Sequence, residues 1–255
     1  MRMWLMRKII KVNKTLKFES GVNHPIQIRS SNPVLKFLLF SSEICGKFFF
    51  NSLTRKLYRY EVNERIVEIP FVLRHMSLPP GVNVLDFGCN RSFLSVNMAS
   101  LGYKVTGVDL LPYLYWHSNF SFIQGNLLDL NLPSEHFAAI TAVSSIEHAG
   151  LGFYGDAPDP EADLAVMKEF YRILKPGGIV LLTVPFGRAY WDDFTRIYDK
   201  DTLLKITKLF RIEREEYYIK KDGENEWNLA GRSFIVNALS ENITGCVACV
   251  ICMKD

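Results

Sequence analysis

Residues 84–92 read Val-Leu-Asp-Phe-Gly-Cys-Asn-Arg-Ser (VLDFGCNRS). The apolar run Val82–Phe87 predicts a short strand that delivers Asp86 near its carboxyl end. Gly88 then opens a tight turn into a helix over Ser92–Leu101, which Gly102 stops. In open α/β sheets ligands bind at the carboxyl ends of strands, where the strand order reverses. A glycine at such a turn lets the backbone approach a ligand closely, and free N–H groups at the following helix start favour an anionic group.

The same alternation continues outward. Lys104–Val108, Phe120–Gln124, Phe137–Ser144 and Ile179–Val184 read as strands. Glu161–Leu174 reads as an amphipathic helix with Leu164, Met167, Phe170, Tyr171 and Leu174 on one stripe. Pro176-Gly177-Gly178 is expected to end that helix. Leu203–Leu209 reads as helix, Phe210–Ile219 as strand and Ile243–Met253 as a last strand, with the polar segment Lys220–Asn242 a candidate substrate loop. Strands alternating with helices predict a Rossmann-like α/β fold: seven strands, mostly parallel, helices on both faces and a terminal antiparallel hairpin. This domain is expected over residues 81–255, preceded by a basic, mainly helical extension over residues 1–80.

Composition bounds the rest. The chain has 255 residues, 48% hydrophobic and 22% charged, and a net charge of +3, which fits a packed globular protein. Twelve Lys/Arg against Glu19 and Glu43 fall in residues 1–60, so the remainder is mildly acidic. A protein basic only at its front does not read as a nucleic-acid binder. Over Arg2–Lys17, helical spacing puts Leu5, Ile9, Val12 and Leu16 on one face and Arg7, Lys11 and Lys14 opposite. Such a helix either lies on an anionic membrane surface through residues 1–20 or packs on the domain with its lysines in water; Trp4 fits neither reading. Arg7 and Lys8 interrupt any signal-peptide core, and Lys36, Glu43 and Lys47 interrupt the longest apolar stretch. Five cysteines do not form a secreted disulfide framework. The expected location is cytoplasmic, soluble or peripheral at the inner membrane surface.

A dinucleotide site wants G-x-G-x-x-G, because the pyrophosphate lies against the second glycine. Gly88, Asn90 and Phe93 stand in that series, which disfavours NAD and leaves room for a nucleoside without a pyrophosphate. Asp109 ends the second strand. It either accepts hydrogen bonds from ribose hydroxyls or caps the segment that follows.

These motifs resemble those of class I S-adenosylmethionine-dependent methyltransferases. VLDFGCNRS is similar to their first motif and VTGVDL to the strand that reads the ribose. GNLLDLNLPSEHFAAIT, AVSSIEHAG and FYRILKPGGIVLLTVP are similar to the segments that follow in order, over about residues 80–215. SLGYKVTGVD, SSIEHAGLGFYGD and DPEADLAVMKEF resemble members associated with glycan or lipopolysaccharide biosynthesis. The resemblance implies S-adenosyl-L-methionine as cofactor. It implies that Asp86 and the backbone around Gly88 and Cys89 hold its amino-acid end and that Asp109 binds the ribose, with Leu110 beside it. Asn126 then faces the adenine with the Leu127 N–H. Departures are Asn90 and Ser92 for glycines, Asn126 for aspartate and Ala138 for the aspartate after Phe137.

His148 is the candidate base, since its ordinary pKa lies near neutrality, with Glu147 orienting it; alternatively the pair merely caps a turn. Tyr154 and Asp156, in a glycine-bracketed loop, either bind a small polar acceptor such as a sugar or form a solvated acidic loop. Arg196 and Tyr198 follow the fifth strand on the ligand side; Arg196 either meets a substrate anion or pairs with Asp192 or Asp193. Cys246, Cys249 and Cys252 suggest a metal, but on a strand 246 and 252 share one face and 249 the other, so no metal site is expected. The function expected is methyl transfer to an oxygen or nitrogen of a small polar acceptor. Standing beside it are a non-catalytic cofactor-binding scaffold and an NAD-dependent oxidoreductase.

Overall fold

The computed structural model describes residues 63–90, 92–223, 226–231 and 243–255. The elements are α1 (Arg65–His75), β1 (Asn83–Phe87), α2 (Leu94–Ser100), β2 (Lys104–Asp109), β3 (Phe120–Gln124), β4 (Phe137–Val143), α3 (Ala162–Ile173) and β5 (Leu174–Pro185). They continue with β6 (Tyr190–Trp191), β7 (Arg196–Ile197), α4 (Lys200–Thr207), β8 (Arg211–Lys221), β9 (Trp227–Ala230) and β10 (Ile243–Met253). One sheet runs β3-β2-β1-β4-β5-β10-β8-β9. Its first five strands are parallel. β10 runs antiparallel to both β5 and β8.

The sheet has eight strands where the sequence predicts seven. The eighth is β9, inside the segment read as a substrate loop, and it pairs antiparallel with β8 at the sheet edge. It lies four places from β4 and does not line the cavity described below. Pro176-Gly177-Gly178 does not follow a helix running to Leu174. The helix stops at Ile173, and these residues bulge from the start of β5, where the β4 register jumps from Phe137↔Leu174 to Ala139↔Ile179. The Gly177 N–H donates to the Lys254 carbonyl (2.8 Å) and the Lys254 N–H to the Gly178 carbonyl (3.0 Å), so the bulge keeps its hydrogen bonds.

Both faces of the sheet are covered. On one, Val166, Met167, Phe170 and Ile173 of α3 and Leu203 and Ile206 of α4 pack on Ile140, Leu182 and Val250. On the other, Phe71 and Val72 of α1 and Leu94 and Met98 of α2 pack on Val84, Val105 and Leu181. β10 shows why the cysteines do not converge: Ala248, Val250 and Cys252 join the first core and Val247, Cys249 and Ile251 the second, with Cys246 packed against the first. No cluster able to hold a metal is found among the described residues.

The boundary expected at 80/81 moves back to 61/62. α1 belongs to the sheet domain because its apolar face is core, and the Tyr103 hydroxyl donates to the Met76 carbonyl just beyond it (2.7 Å). The basic helix expected over Arg2–Lys17 lies outside the described residues. No described helix is long and apolar enough to cross a membrane.

Candidate active site

A cavity of about 720 Å³ opens at the carboxyl ends of β1 to β4, within the range of roughly 300–1,000 Å³ typical of small-molecule sites. β1 lies between β2 and β4, so the strand order reverses there, and the cavity sits where an open sheet offers a crevice.

The β1 turn is shaped by contact. Gly88 has φ +69°, and a Cβ on it would lie 2.3 Å from Ser145 Oγ. No other residue fits there without displacing the β4 loop. The turn is tied to β2 by Asp109, whose Oδ2 accepts the Asn90 N–H (2.8 Å) and whose Oδ1 accepts the Leu111 N–H (2.8 Å). Both readings of Asp109 therefore meet: it closes a local turn, yet a carboxylate offers about four lone-pair sites, so two remain for hydroxyl donors. Gly88, Asn90, Asp109 and Leu110 all line the cavity.

Asp86 does not. It is 3% exposed, and its carboxylate accepts the Ser95 hydroxyl (2.5 Å) and the Thr141 hydroxyl (2.7 Å). Burial pushes its pKa up from 3.8 to about 6, against those two hydrogen bonds. It pins α2 and β4 to β1, so the ligand role implied for it is corrected. Cys89 is also buried and off the lining; its Sγ lies 2.9 Å from where a Gly107 Cβ would stand.

Beyond β3, Asn126 and Leu127 line the cavity. The Asn126 Oδ1 accepts the Leu128 N–H (3.2 Å), capping a 3-10 turn over Leu127–Asp129. Its NH2 and one lone pair remain for a ligand.

At the end of β4, His148 lines the cavity and its Nδ1 lies 2.6 Å from the Phe194 carbonyl. A carbonyl only accepts, so Nδ1 carries the hydrogen and Nε2 keeps its lone pair in the neutral ring. Burial lowers the His148 pKa below 6.5, the first of its causes, so the ring is neutral at pH 7. Glu147 does not orient it. Its Oε1 is 3.9 Å from Nε2, beyond hydrogen-bond reach, and burial pushes its own pKa up to about 8. Glu147 is 1% exposed and off the cavity lining; the Phe194 carbonyl performs the orienting.

Tyr154 and Asp156 line the cavity as the loop reading expects, and Asp156 Oδ2 accepts the Gly150 N–H (2.5 Å). Arg196 and Tyr198 do not. Arg196 donates to the carbonyls of Ala149 (2.5 Å), Asp159 (3.3 Å) and Pro160 (3.2 Å), and its Nε lies 3.8 Å from buried Asp163. The Tyr198 hydroxyl donates to Asp163 (3.0 Å). Both brace the loop from beneath, which corrects the substrate roles assigned to them and the Asp192/Asp193 pairing for Arg196.

The family model described as a methyltransferase domain matches residues 85–182. Over those residues the chain matches a methyltransferase domain. A ubiquinone biosynthesis O-methyltransferase of Xanthomonas campestris is 32% identical to it over 127 residues, 46% of this chain and 48% of that protein. A sterol 24-C-methyltransferase of Gibberella zeae is 27% identical over 207 residues, 72% of this chain and 48% of that one. The chain thus spans about half the length of these relatives. Among solved structures, a Burkholderia thailandensis 1,6-didemethyltoxoflavin-N1-methyltransferase with bound 1,6-didemethyltoxoflavin and S-adenosylhomocysteine has a TM-score of 0.53 at 15% identity. It covers 94% of this chain and 100% of its own. At that identity the likeness is one of fold.

The fold also places at the cavity residues that do not stand out in the sequence. Arg65 of α1 lines it, donating to the Val143 carbonyl (2.5 Å) and to Glu68 (3.2 Å), whose other oxygen accepts the Ser144 hydroxyl (2.5 Å). Burial raises the Glu68 pKa. The signal was the i, i+3 pair Arg65/Glu68 on a helical pattern, hidden by counting this stretch with the extension. Phe153 and Phe194 line the cavity too.

Proposed function

We propose that this protein transfers a methyl group from S-adenosyl-L-methionine to an oxygen or nitrogen of a small polar acceptor. One observation carries the reading: the Gly88 turn, the spare lone pairs of Asp109 and the Nε2 of His148 share one cavity at the switch point. Gly88 admits the amino-acid end of the cofactor, with Arg65 as the cation for its carboxylate. Asp109 takes the ribose hydroxyls. Asn126, Leu127 and Leu110 border the adenine. Bound there, the cofactor supplies a methyl carbon already activated on a sulfonium. The chain then has to align the acceptor and keep water away, which supplies much of the rate. Tyr154 and Asp156 hold the acceptor, and the neutral His148 takes its proton, a contribution of roughly 10²–10⁴-fold for a placed general base. A sugar acceptor rests on sequence resemblance alone; the relatives named above carry other substrates in their names.

Titration calorimetry tests the reading. Wild type is expected to bind S-adenosylmethionine and not NAD, and Asp109→Asn to weaken that binding at least tenfold with the fold intact. Binding of NAD instead would move the protein to the oxidoreductases. Cofactor binding with no methyl transfer in a broad acceptor panel would make it a scaffold.

A further inference from the structure

Four rings form one continuous face along the cavity. His148 meets Phe194 at 4.8 Å and Tyr154 at 5.5 Å between ring centroids. Phe153 meets Tyr154 at 5.0 Å and Phe194 at 4.7 Å, which closes the circuit. All four line the cavity, yet Phe153 is 59%, Phe194 40% and Tyr154 37% exposed. An apolar face of this kind left in water at a site is a binding feature, because covering it gains about 25 cal/mol per Å². Three of these four contacts are edge to face and the His148–Phe194 pair is tilted at 50°, so the rings lean on one another as a wall and do not form an open box around a cation. Three, His148, Phe153 and Tyr154, come from the segment after β4. Phe194 comes from the β6–β7 hairpin, and its carbonyl also receives the His148 Nδ1–H.

Resting on the methyl-transfer reading, we propose that the acceptor is a planar aromatic molecule bearing a phenolic hydroxyl, its ring seated on this wall and its oxygen at His148 Nε2. The base favours the assignment. A neutral imidazole with a lowered pKa is a weak base. It suits a phenol of pKa about 10 far better than an alcoholic hydroxyl, which is nearer water's value of about 15.7. In the transfer the phenolic O–H bond breaks and its proton goes to Nε2. The oxygen forms the bond to the methyl carbon, and the carbon–sulfur bond breaks with its electron pair staying on sulfur. The imidazolium then gives the proton to solvent. Asp156 Oδ1 is buried on the same lining without a partner among the described residues, and a further donor on the acceptor satisfies it.

The test is ligand-observed NMR titration of the full chain saturated with S-adenosylhomocysteine, using 4-nitrophenol, methyl β-glucoside and ethanolamine as probes. The phenol is expected to bind at least tenfold more tightly than the other two. Phe194→Ala should weaken phenol binding about tenfold, and Phe194→Tyr should restore it. Glucoside or ethanolamine binding as well as the phenol, or phenol binding unchanged in both Phe194→Ala and Phe153→Ala, overturns the acceptor assignment alone. Failure of wild type to bind S-adenosylhomocysteine overturns the methyl-transfer reading and this assignment with it.

Discussion

Glu147 carries a carboxyl that is 1% exposed, with Oε2 lacking a partner among the described residues and a pKa pushed from 4.5 to about 8 by burial. The folded chain therefore holds a proton there that the unfolded chain releases between about pH 4.5 and 8, so stability is greatest below that window and is lost as pH rises through it. Glu147→Gln keeps the shape and removes the titration; its Tm should fall less than that of wild type between pH 5 and 8. Asp86, raised to about 6, acts in the same direction over a lower range. His148 behaves oppositely. Burial lowers its pKa, so kcat should fall as acid protonates Nε2 and level off as pH rises. His148→Asn should lower kcat by roughly 10²–10⁴-fold and abolish that acid limb. At this scale sequence alone identified a histidine and its acidic neighbour. It could not tell that one is cavity wall and the other core, because adjacent residues on a turn point in different directions.

Among the elements, the β1 turn is the most constrained by its surroundings. Gly88→Ala would place a methyl group 2.3 Å from Ser145 Oγ and hold an L side chain at φ +69°. A cost of about 1–3 kcal/mol is expected for the backbone alone, with a loss of cofactor affinity, both read by thermal melts and calorimetry. Ser145→Gly in the same chain should relieve the clash and recover part of the stability, since the φ strain stays. The strands β1, β2, β3, β4 and β10 were legible to within a residue at most positions because their apolar and β-branched residues are closely spaced and bounded by turn residues. α1 was not separated from the extension, since Pro70 lies inside the helix and reads as a breaker. β6 and β7 have two residues each and carry no period to read.

The whole molecule joins a sheet domain to a basic front. Twelve Lys/Arg against two Glu in residues 1–60 leave a charge of +10 there, and about 1 kcal/mol per basic residue is available near an anionic membrane surface. Deleting residues 1–20 should abolish co-sedimentation with vesicles rich in phosphatidylserine; unchanged co-sedimentation would leave that segment without a membrane role.

The amino-acid order by itself determined the alternation of strands and helices, the glycine at 88 and the carboxylate at 109, because periodicity and turn chemistry act over a few neighbouring residues. Only the tertiary structure decided the sheet order, the entry of Arg65 and Phe194 into the cavity and the withdrawal of Asp86, Arg196 and Tyr198 into the protein. Whether a polar side chain beside a crevice faces ligand or core depends on partners such as Ser95, Thr141 and Asp163, brought to it by packing from other elements.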